Sequence, residues 1–418
     1  MNEDAKKDDN EIRSRQPKLE SKKISLMEFS IPYDQFGPEK VIIVREPRIN
    51  LLGFLIIDNT APGPGKGGLR MTPDVTVHEV FRLARIMTWK CAIAGVREGL
   101  PFGGAKSAIK ANPKAISLNQ KRLLVKAFAE AIRPFCPQYY ISAPDMGTNS
   151  SDMDVFVKAI GDRNAATGKS KMLGGIEERQ GATARGLWYT IRYTLDYYNV
   201  DPNQCTVTLM GFGKVGKPTA LTLYEKGFKV IAVTDSQGGV YDEDGLDVYD
   251  LIKVKESSGS VSDYVKKFKD EHPNAKFITN DMMIRIKKKS KDEKRIFIPA
   301  AIGGIYDEKI ANEIVADFIF EAANDPAKSP EVYSIFHKRG IIDINDFVAN
   351  KGGVVVSYAE LNRLLEPETL LIESVVRVLD RILPVAEDMN VPPRTVALNL
   401  AKNHILEKME ERKRLRGY

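Results

Sequence analysis

Alternation and periodicity of the apolar positions divide the chain into two stretches of different kind. From Glu39, EKVIIVREPRINLLGFLIIDNT carries two β-rich runs separated by a polar turn containing Pro47, which predicts a hairpin or adjacent strands. The Gly/Pro-rich APGPGKGGLRM that follows predicts a loop whose backbone approaches a ligand closely. Val80, Leu83, Ala84, Met87 and Cys91 recur at helical spacing, so Val77 to Cys91 predicts a helix with Trp89 and Lys90 at its end. A second glycine-rich loop is expected around Gly103, then a helix from Asn119 to Phe135. QYYISAPDMGTNSSDMDVFVKAIG reads as a short strand, a loop containing Asp145 and a helix capped within Asn149 to Asp152.

Beyond these elements the pattern becomes βα. Ala182 to Tyr198 is helical, CTVTLM at Cys205 to Met210 is a strand, and Pro218 to Gly227 is a helix with its stop. FKVIAV at Phe228, IFIPAA at Ile296, DFIFEAA at Asp317 and GIIDI at Gly340 are further apolar strands, several of them separated by helical connections. Such a series predicts a parallel sheet covered on both faces. From Glu360 the chain turns to amphipathic helices, LIESVVRVLDRILPVAEDM among them. A chain of 418 residues exceeds one ordinary core, so two domains are expected.

Gly211-Phe212-Gly213-Lys214-Val215-Gly216 is a GxGxxG that follows the CTVTLM strand directly and opens a helix. In that context the first glycine makes the tight turn, the second lets backbone approach a pyrophosphate, and the third permits close helix–strand packing. The helix N-terminus offers N–H groups to the phosphates. Asp235 ends the next strand, followed by Ser236; its carboxylate either accepts the adenosine ribose hydroxyls, favouring NAD, or caps the turn. Lys214 and Lys217 are candidates for a 2′-phosphate, so the reading is NAD or NADP, with a slight preference for NAD.

Composition narrows the classes. With 43% hydrophobic and 28% charged residues this is a globular composition, and no run of 18 apolar residues predicts a transmembrane helix. The formal charge of +6 is spread through mixed runs, so neither a nucleic-acid surface nor a membrane surface is expected. Arg285 to Lys294 reads as an exposed basic excursion. Cys91, Cys136 and Cys205 are an odd count at wide spacing, which fits a reducing cytoplasm, and four scattered histidines predict no metal site. The charged N-terminus reads as neither signal nor anchor. Residues 1–23 are expected to form a poorly ordered or subunit-contact tail.

Three lysines lie in unusual surroundings: Lys66 in GPGKGGLR, Lys90 in MTWK and Lys106 in PFGGAK. Lysine is rarely buried without a partner, yet two are framed by paired glycines and one follows a tryptophan. KGGLR, MTWK, GGAK, APDMGTN, GFGKVG and GGVVVSY occur in that order, and from about Tyr33 to the C-terminal helices the chain resembles the glutamate/leucine/phenylalanine/valine dehydrogenases, most closely the glutamate enzymes.

The resemblance implies an α/β fold with two domains: an α/β substrate-binding and oligomerisation domain at 24–178 and a Rossmann-type nucleotide-binding domain at 179–350. Helices at 351–418 return to complete the first. It further implies that Lys66, assisted by Ser357, binds the substrate side-chain carboxylate, that Lys90 holds the α-carboxylate, and that Lys106 is the catalytic lysine with Asp145 its proton-transfer partner. Thr183 would touch the nicotinamide amide, and Ala300, Asn324 and Asn350 would line the cofactor cleft. The implied reaction is oxidative deamination of L-glutamate to 2-oxoglutarate and ammonia, and the reverse amination, in a cytoplasmic homo-oligomer, a hexamer in this family. A branched-chain or other 2-amino acid dehydrogenase and a non-catalytic ligand-binding paralogue are the competing readings. The chain departs from the family in four added residues around Arg97-Glu98, in GGAKSA for GGAKGG, in Lys214 for asparagine, and in Arg295 for an acidic residue.

Overall fold

The computed structural model describes residues 31–95, 99–179, 181–301 and 303–416, and the elements below lie within the unit Tyr33–Tyr418. The expected tail at 1–23 and the added residues around Arg97-Glu98 lie outside the described residues. The predicted hairpin is β1 (Lys40–Glu46) and β2 (Leu51–Asn59), antiparallel with Lys40 opposite Ile57 and Glu46 opposite Leu51. Then come β3 (Gly65–Lys66), β4 (Leu69–Thr72), α1 (Val77–Ile93), β5 (Gly103–Lys110), α2 (Leu118–Ile132), β6 (Tyr140–Ile141) and α3 (Ser150–Ile160). The sheet order is β1-β2-β5-β3-β6, with β4 also on β5.

Two glycine-rich segments expected as loops are therefore strands. Their glycines serve close packing. A Cβ on Gly103 would lie 1.7 Å from the Asn59 carbonyl oxygen, and one on Gly104 would lie 2.1 Å from Thr88 Oγ1 of α1. Along β5, Ala105 and Ile109 join the core formed with α2 and α3 through Val125, Phe128, Phe156 and Val157. The strand period of two turns Gly104 and Lys106 the other way, toward α1. The predicted cap of α3 is formed by Asn149 and Asp152, each side chain bonded to the other's backbone N–H.

The second half contains α4 (Ala182–Tyr197), β7 (Cys205–Met210), α5 (Gly216–Glu225), β8 (Lys229–Asp235), β9 (Gly238–Tyr241), α6 (Val248–Ser258), β10 (Lys276–Ile278), β11 (Lys294–Pro299), α7 (Glu308–Glu313), β12 (Phe318–Phe320), α8 (Glu331–Lys338) and β13 (Ile342–Ile344). The strands β8-β7-β11-β12-β13 are mutually parallel, as the apolar runs predict, and β9 and β10 extend them antiparallel at one edge. Ile296, Ile298, Phe318 and Phe320 enter one core while Phe297 and Ile319 enter another, so both faces are buried. Arg295, inside β11, is buried and ion-paired with Glu293 at 2.5 Å.

After α9 (Asp346–Ala349) and α10 (Gly352–Asn362), the chain ends in α11 (Pro367–Asp388) and α12 (Pro393–Arg416). Val375, Val378, Leu379 and Ile382 of α11 share a core with Leu187, Ile191 and Leu195 of α4. At the far end Arg412 donates to Thr60 Oγ1 and to Glu39 Oε1, both at 2.9 Å, fastening α12 to the first sheet.

Candidate active site

Lys66 occupies β3, between β5 and β6, and is 1% exposed. Its Nζ donates to the Ser142 carbonyl at 2.7 Å and to Thr167 Oγ1 at 2.8 Å. Thr167 in turn donates to Ser357 Oγ at 3.1 Å, and Arg179 Nε donates to the same Oγ at 3.0 Å. Lys66 and Ser357, far apart in sequence, are thus joined through Thr167, with Arg179 bonded to Ser357, and sequence reasoning missed both. Thr167 carries no local signal, whereas Arg179 stands four residues before Thr183, across Gly181. Burial, helped by the Arg179 charge, pushes the Lys66 ammonium down to about 7. Beneath this group Glu360 accepts from Lys169 Nζ and from the Gly168 amide, each at 2.8 Å.

Lys106, 3% exposed, lies 2.9 Å from Asp145 Oδ2. Arg70, the last residue of KGGLR, approaches the same oxygen at 3.0 Å and also pairs with Glu79. Burial lowers the pKa of Lys106 against the opposing pull of Asp145. Burial works against the Asp145 carboxylate too, but the charges of Lys106 and Arg70 overcome it and hold the carboxyl well below the usual range. Burial thus favours the neutral form of Lys106, while the two neighbouring cations favour the ionised form of Asp145.

Lys90, near the end of α1, donates across the cleft to Asn324 Oδ1 at 2.7 Å, and Asn350 Nδ2 donates to the same oxygen at 3.0 Å. Burial pushes Lys90 down to about 8, opposed by the charge of Asp346. Its neighbour Cys91 is an inert buried thiol, pushed up to about 12 by burial. Thr183 stands in the first turn of α4, and its Oγ1 would be 3.1 Å from a Cβ on Gly353.

The fingerprint loop leaves β7 at Gly211, whose φ of 105° favours glycine and whose Cβ would strike Ala300 and Ala301 backbone at about 2.7 Å. A Cβ on Gly216 would meet the Gly211 carbonyl oxygen at 1.7 Å. Over Gly213 nothing lies within 4 Å, so the middle glycine faces open space and the loop fits a nucleotide phosphate there. The side chains of Phe212 and Val215 pack into the core, leaving their backbone as the part that faces a cofactor. Lys214 reaches across to the Asp145 loop. Lys217, considered for a 2′-phosphate, pairs with Glu256 at 2.7 Å. Asp235 accepts from the Gln237 and Val261 amides, Ser260 Oγ and Lys255 Nζ at 2.8 to 3.2 Å, while Ser236 is exposed.

The matching of residues to known families extends over most of the chain. Residues 38–161 match the Glu/Leu/Phe/Val dehydrogenase dimerisation domain, and residues 174–413 match the Glutamate/Leucine/Phenylalanine/Valine dehydrogenase family. A glutamate dehydrogenase of Thermotoga maritima is 35% identical over 88% of this chain and 89% of its own length. Glutamate dehydrogenase A2 of Halobacterium salinarum is 34% identical over 86% and 85%. Among solved structures, the hetero-hexameric glutamate dehydrogenase of Thermus thermophilus in its leucine-bound form is similar with a TM-score of 0.79 and 27% identity, covering 90% of each chain.

Proposed function

The chain belongs to the glutamate/leucine/phenylalanine/valine dehydrogenase family, and we propose that within it the substrate is L-glutamate, oxidised to 2-oxoglutarate and ammonia, with the reverse amination on the same site. The observation that carries this reading is Lys66, buried beside Arg179, Ser357 and Thr167. Buried Lys66 and half-buried Arg179 repel each other, and a substrate carboxylate between them would add to the partial compensation that Glu360 supplies. An apolar side chain would supply no such charge.

A bound nicotinamide nucleotide supplies the hydride acceptor. Lys90 holds the α-carboxylate and Lys66 the γ-carboxylate, so the two ends of glutamate are fixed and the Cα–H bond is presented in one orientation. Asp145 takes a proton from the substrate ammonium, and loss of hydride from Cα then leaves a 2-imino acid, to which water adds. Neutral Lys106 takes the proton from that water as the C–O bond forms, and its ammonium then stabilises the carbinolamine oxygen. Asp145 returns its proton to the amino nitrogen, ammonia departs with the C–N electron pair as the carbinolamine hydroxyl passes its proton back to the Asp145 carboxylate, and the 2-oxo acid remains.

For the cofactor the reading is NAD or NADP. Asp235 ends β8 where ribose hydroxyls would lie, which favours NAD. Lys255, 2.8 Å from it, offsets its charge and lowers the penalty for a 2′-phosphate. Thr183, Ser236, Ala300, Asn324 and Asn350 would line the rest of the cofactor cleft. We propose a homo-hexamer on the strength of the family and a reducing, cytoplasmic setting on three buried free thiols. No described helix is long and apolar enough to cross a membrane.

The test is formation of reduced nucleotide, followed by near-ultraviolet absorbance, with NAD and NADP separately against glutamate, leucine, valine, phenylalanine and alanine. Turnover confined to glutamate is expected. Turnover of an apolar amino acid in preference would overturn the substrate, and none in either direction would overturn the enzyme reading.

A further inference from the structure

The nucleotide loop and the acid–base pair belong to different halves of the chain, and one side chain joins them. Lys214 leaves the loop beside Gly213, and its Nζ donates to the Thr148 carbonyl at 2.6 Å and the Asp145 carbonyl at 3.3 Å. We propose that Lys214 is a positioning residue that holds the Asp145 loop, and with it the Asp145 carboxylate, in working position from the nucleotide side of the cleft. The inference rests on the acid–base role given to Asp145 above.

The loop that Lys214 grips is stiff, so a pull on its carbonyls reaches the carboxylate. The Asp145 amide donates to Thr148 Oγ1 at 2.9 Å, and the Thr148 amide donates back to the Asp145 carbonyl at 3.1 Å. Thr148 Oγ1 also donates to the Leu69 carbonyl at 2.8 Å. Gly147 has a φ of 79°, and a Cβ there would lie 2.0 Å from the Met71 carbonyl oxygen, which pins the turn against β4. On its other side the Asp145 carboxylate is held by Lys106 and Arg70. Asp145 is therefore fixed by its side chain from the substrate half and by its backbone from the nucleotide half.

A solvated lysine would not adopt this arrangement for nothing. Ordering a lysine side chain costs about 1.5–2 kcal/mol of rotamer entropy. The ammonium also approaches Lys121 and the positive end of α3. Two charge-assisted bonds to carbonyls, with the charges of Asp145 and Asp152 nearby, offset those costs. An ammonium that acted only as counter-ion to a phosphate would have to release both carbonyls. The two roles therefore predict different kinetics.

The experiment compares the full-length protein with Lys214→Met and Lys214→Arg. Backbone hydrogen exchange over residues 145–152, without nucleotide, should quicken several-fold in K214M and stay near the parent rate in K214R. With glutamate and nucleotide, K214M should lose about tenfold or more in kcat, as loosened positioning does, while the nucleotide KM moves less than about threefold. K214R should recover most of the loss. A raised nucleotide KM with unchanged kcat would make Lys214 a phosphate ligand and overturn the proposal. Unchanged exchange would overturn it too, and that arm reads out even if the parent protein fails to oxidise glutamate, so the two readings fail separately.

Discussion

Each half of the molecule buries a group of like charges, and the two groups are resolved in opposite ways. In the first half Lys90 and Lys106 each have a partner and retain further N–H donors for a ligand, while Lys66 spends its donors on the Ile141 and Ser142 carbonyls and Thr167 Oγ1. In the second, Glu321, Asp343 and Asp346 gather where β12 and β13 end. Glu321 Oε1, both oxygens of Asp343, both amide atoms of Asn345 and the Tyr306 hydroxyl have no hydrogen-bond partner among the described residues. Burial, reinforced by the neighbouring acids, pushes Glu321 and Asp343 well above the usual carboxylate range, and Arg394, 4.4 Å over the Tyr333 ring, opposes it only in part. Burial drives the lysines toward their neutral forms, and an anionic substrate would hold their charge in place. Glu321 and Asp343 are driven to discard theirs by holding protons. A buried charge is thus tolerated where a ligand completes it and neutralised where none does.

On that contrast the most damaging change lies where Lys106 meets Asp145. Asp145→Asn keeps the shape but removes the carboxylate that faces Lys106, and kcat at saturating glutamate should fall by about 10²–10⁴, the span of acid–base catalysis. Retention of more than about a tenth of the parent kcat would remove Asp145 from the chemistry and leave it a structural ion-pair member.

The next effect is on selectivity. Lys66→Leu should lower kcat/KM for glutamate by about 10²–10³ through the lost carboxylate contact, while apolar amino acids lose far less. Equal losses for all substrates would mean that Lys66 supports the fold and does not read the side chain. The same lysine gives a pH signature. With its ammonium at about 7 in the free protein, raising the pH through 7 discharges it, so KM for glutamate should climb by up to about tenfold per pH unit. The rise should disappear in Lys66→Leu. A glutamate KM flat from pH 6 to 9 in the parent protein would place the cation elsewhere.

The two clusters also differ in how far the sequence disclosed them. Lysines among paired glycines are conspicuous because lysine is costly to bury, and the fingerprint after CTVTLM is equally plain. Their setting is less legible, since GKGGLR and FGGAK look like loops until the partners that forbid a Cβ, Ala105 for Gly67 and Asn59 and Thr88 for Gly103 and Gly104, are in place. The acid cluster left no trace. DFIFEAA and GIIDI read as apolar strands, and only their pairing, Ile319 opposite Asp343, brings that aspartate beside Glu321. Thr167 was hidden for the same reason, because its link to Lys66 and Ser357 is made wholly by tertiary contact.

The smallest predicted effect tests the silent cluster. Asp343→Val suits a strand, fills similar space and removes a buried acid whose oxygens have no partner, so it should stabilise the protein by about 1–3 kcal/mol near neutral pH. The sign follows from the raised pKa. Below about pH 4 the aspartate is protonated in both folded and unfolded chains, and the group makes no charge-related demand. As pH climbs, the unfolded chain releases its proton first while the folded one keeps it, so stability contributed at low pH is lost progressively until the folded pKa is passed. The valine variant has no such proton to hold. The gap in unfolding midpoint, variant above parent, should therefore widen from acid toward neutral pH and amount to about 2 °C or more near pH 8. A gap that stays constant with pH would show Asp343 to be ionised in the fold, and the contrast between the cluster that keeps its charge and the one that gives it up would be lost.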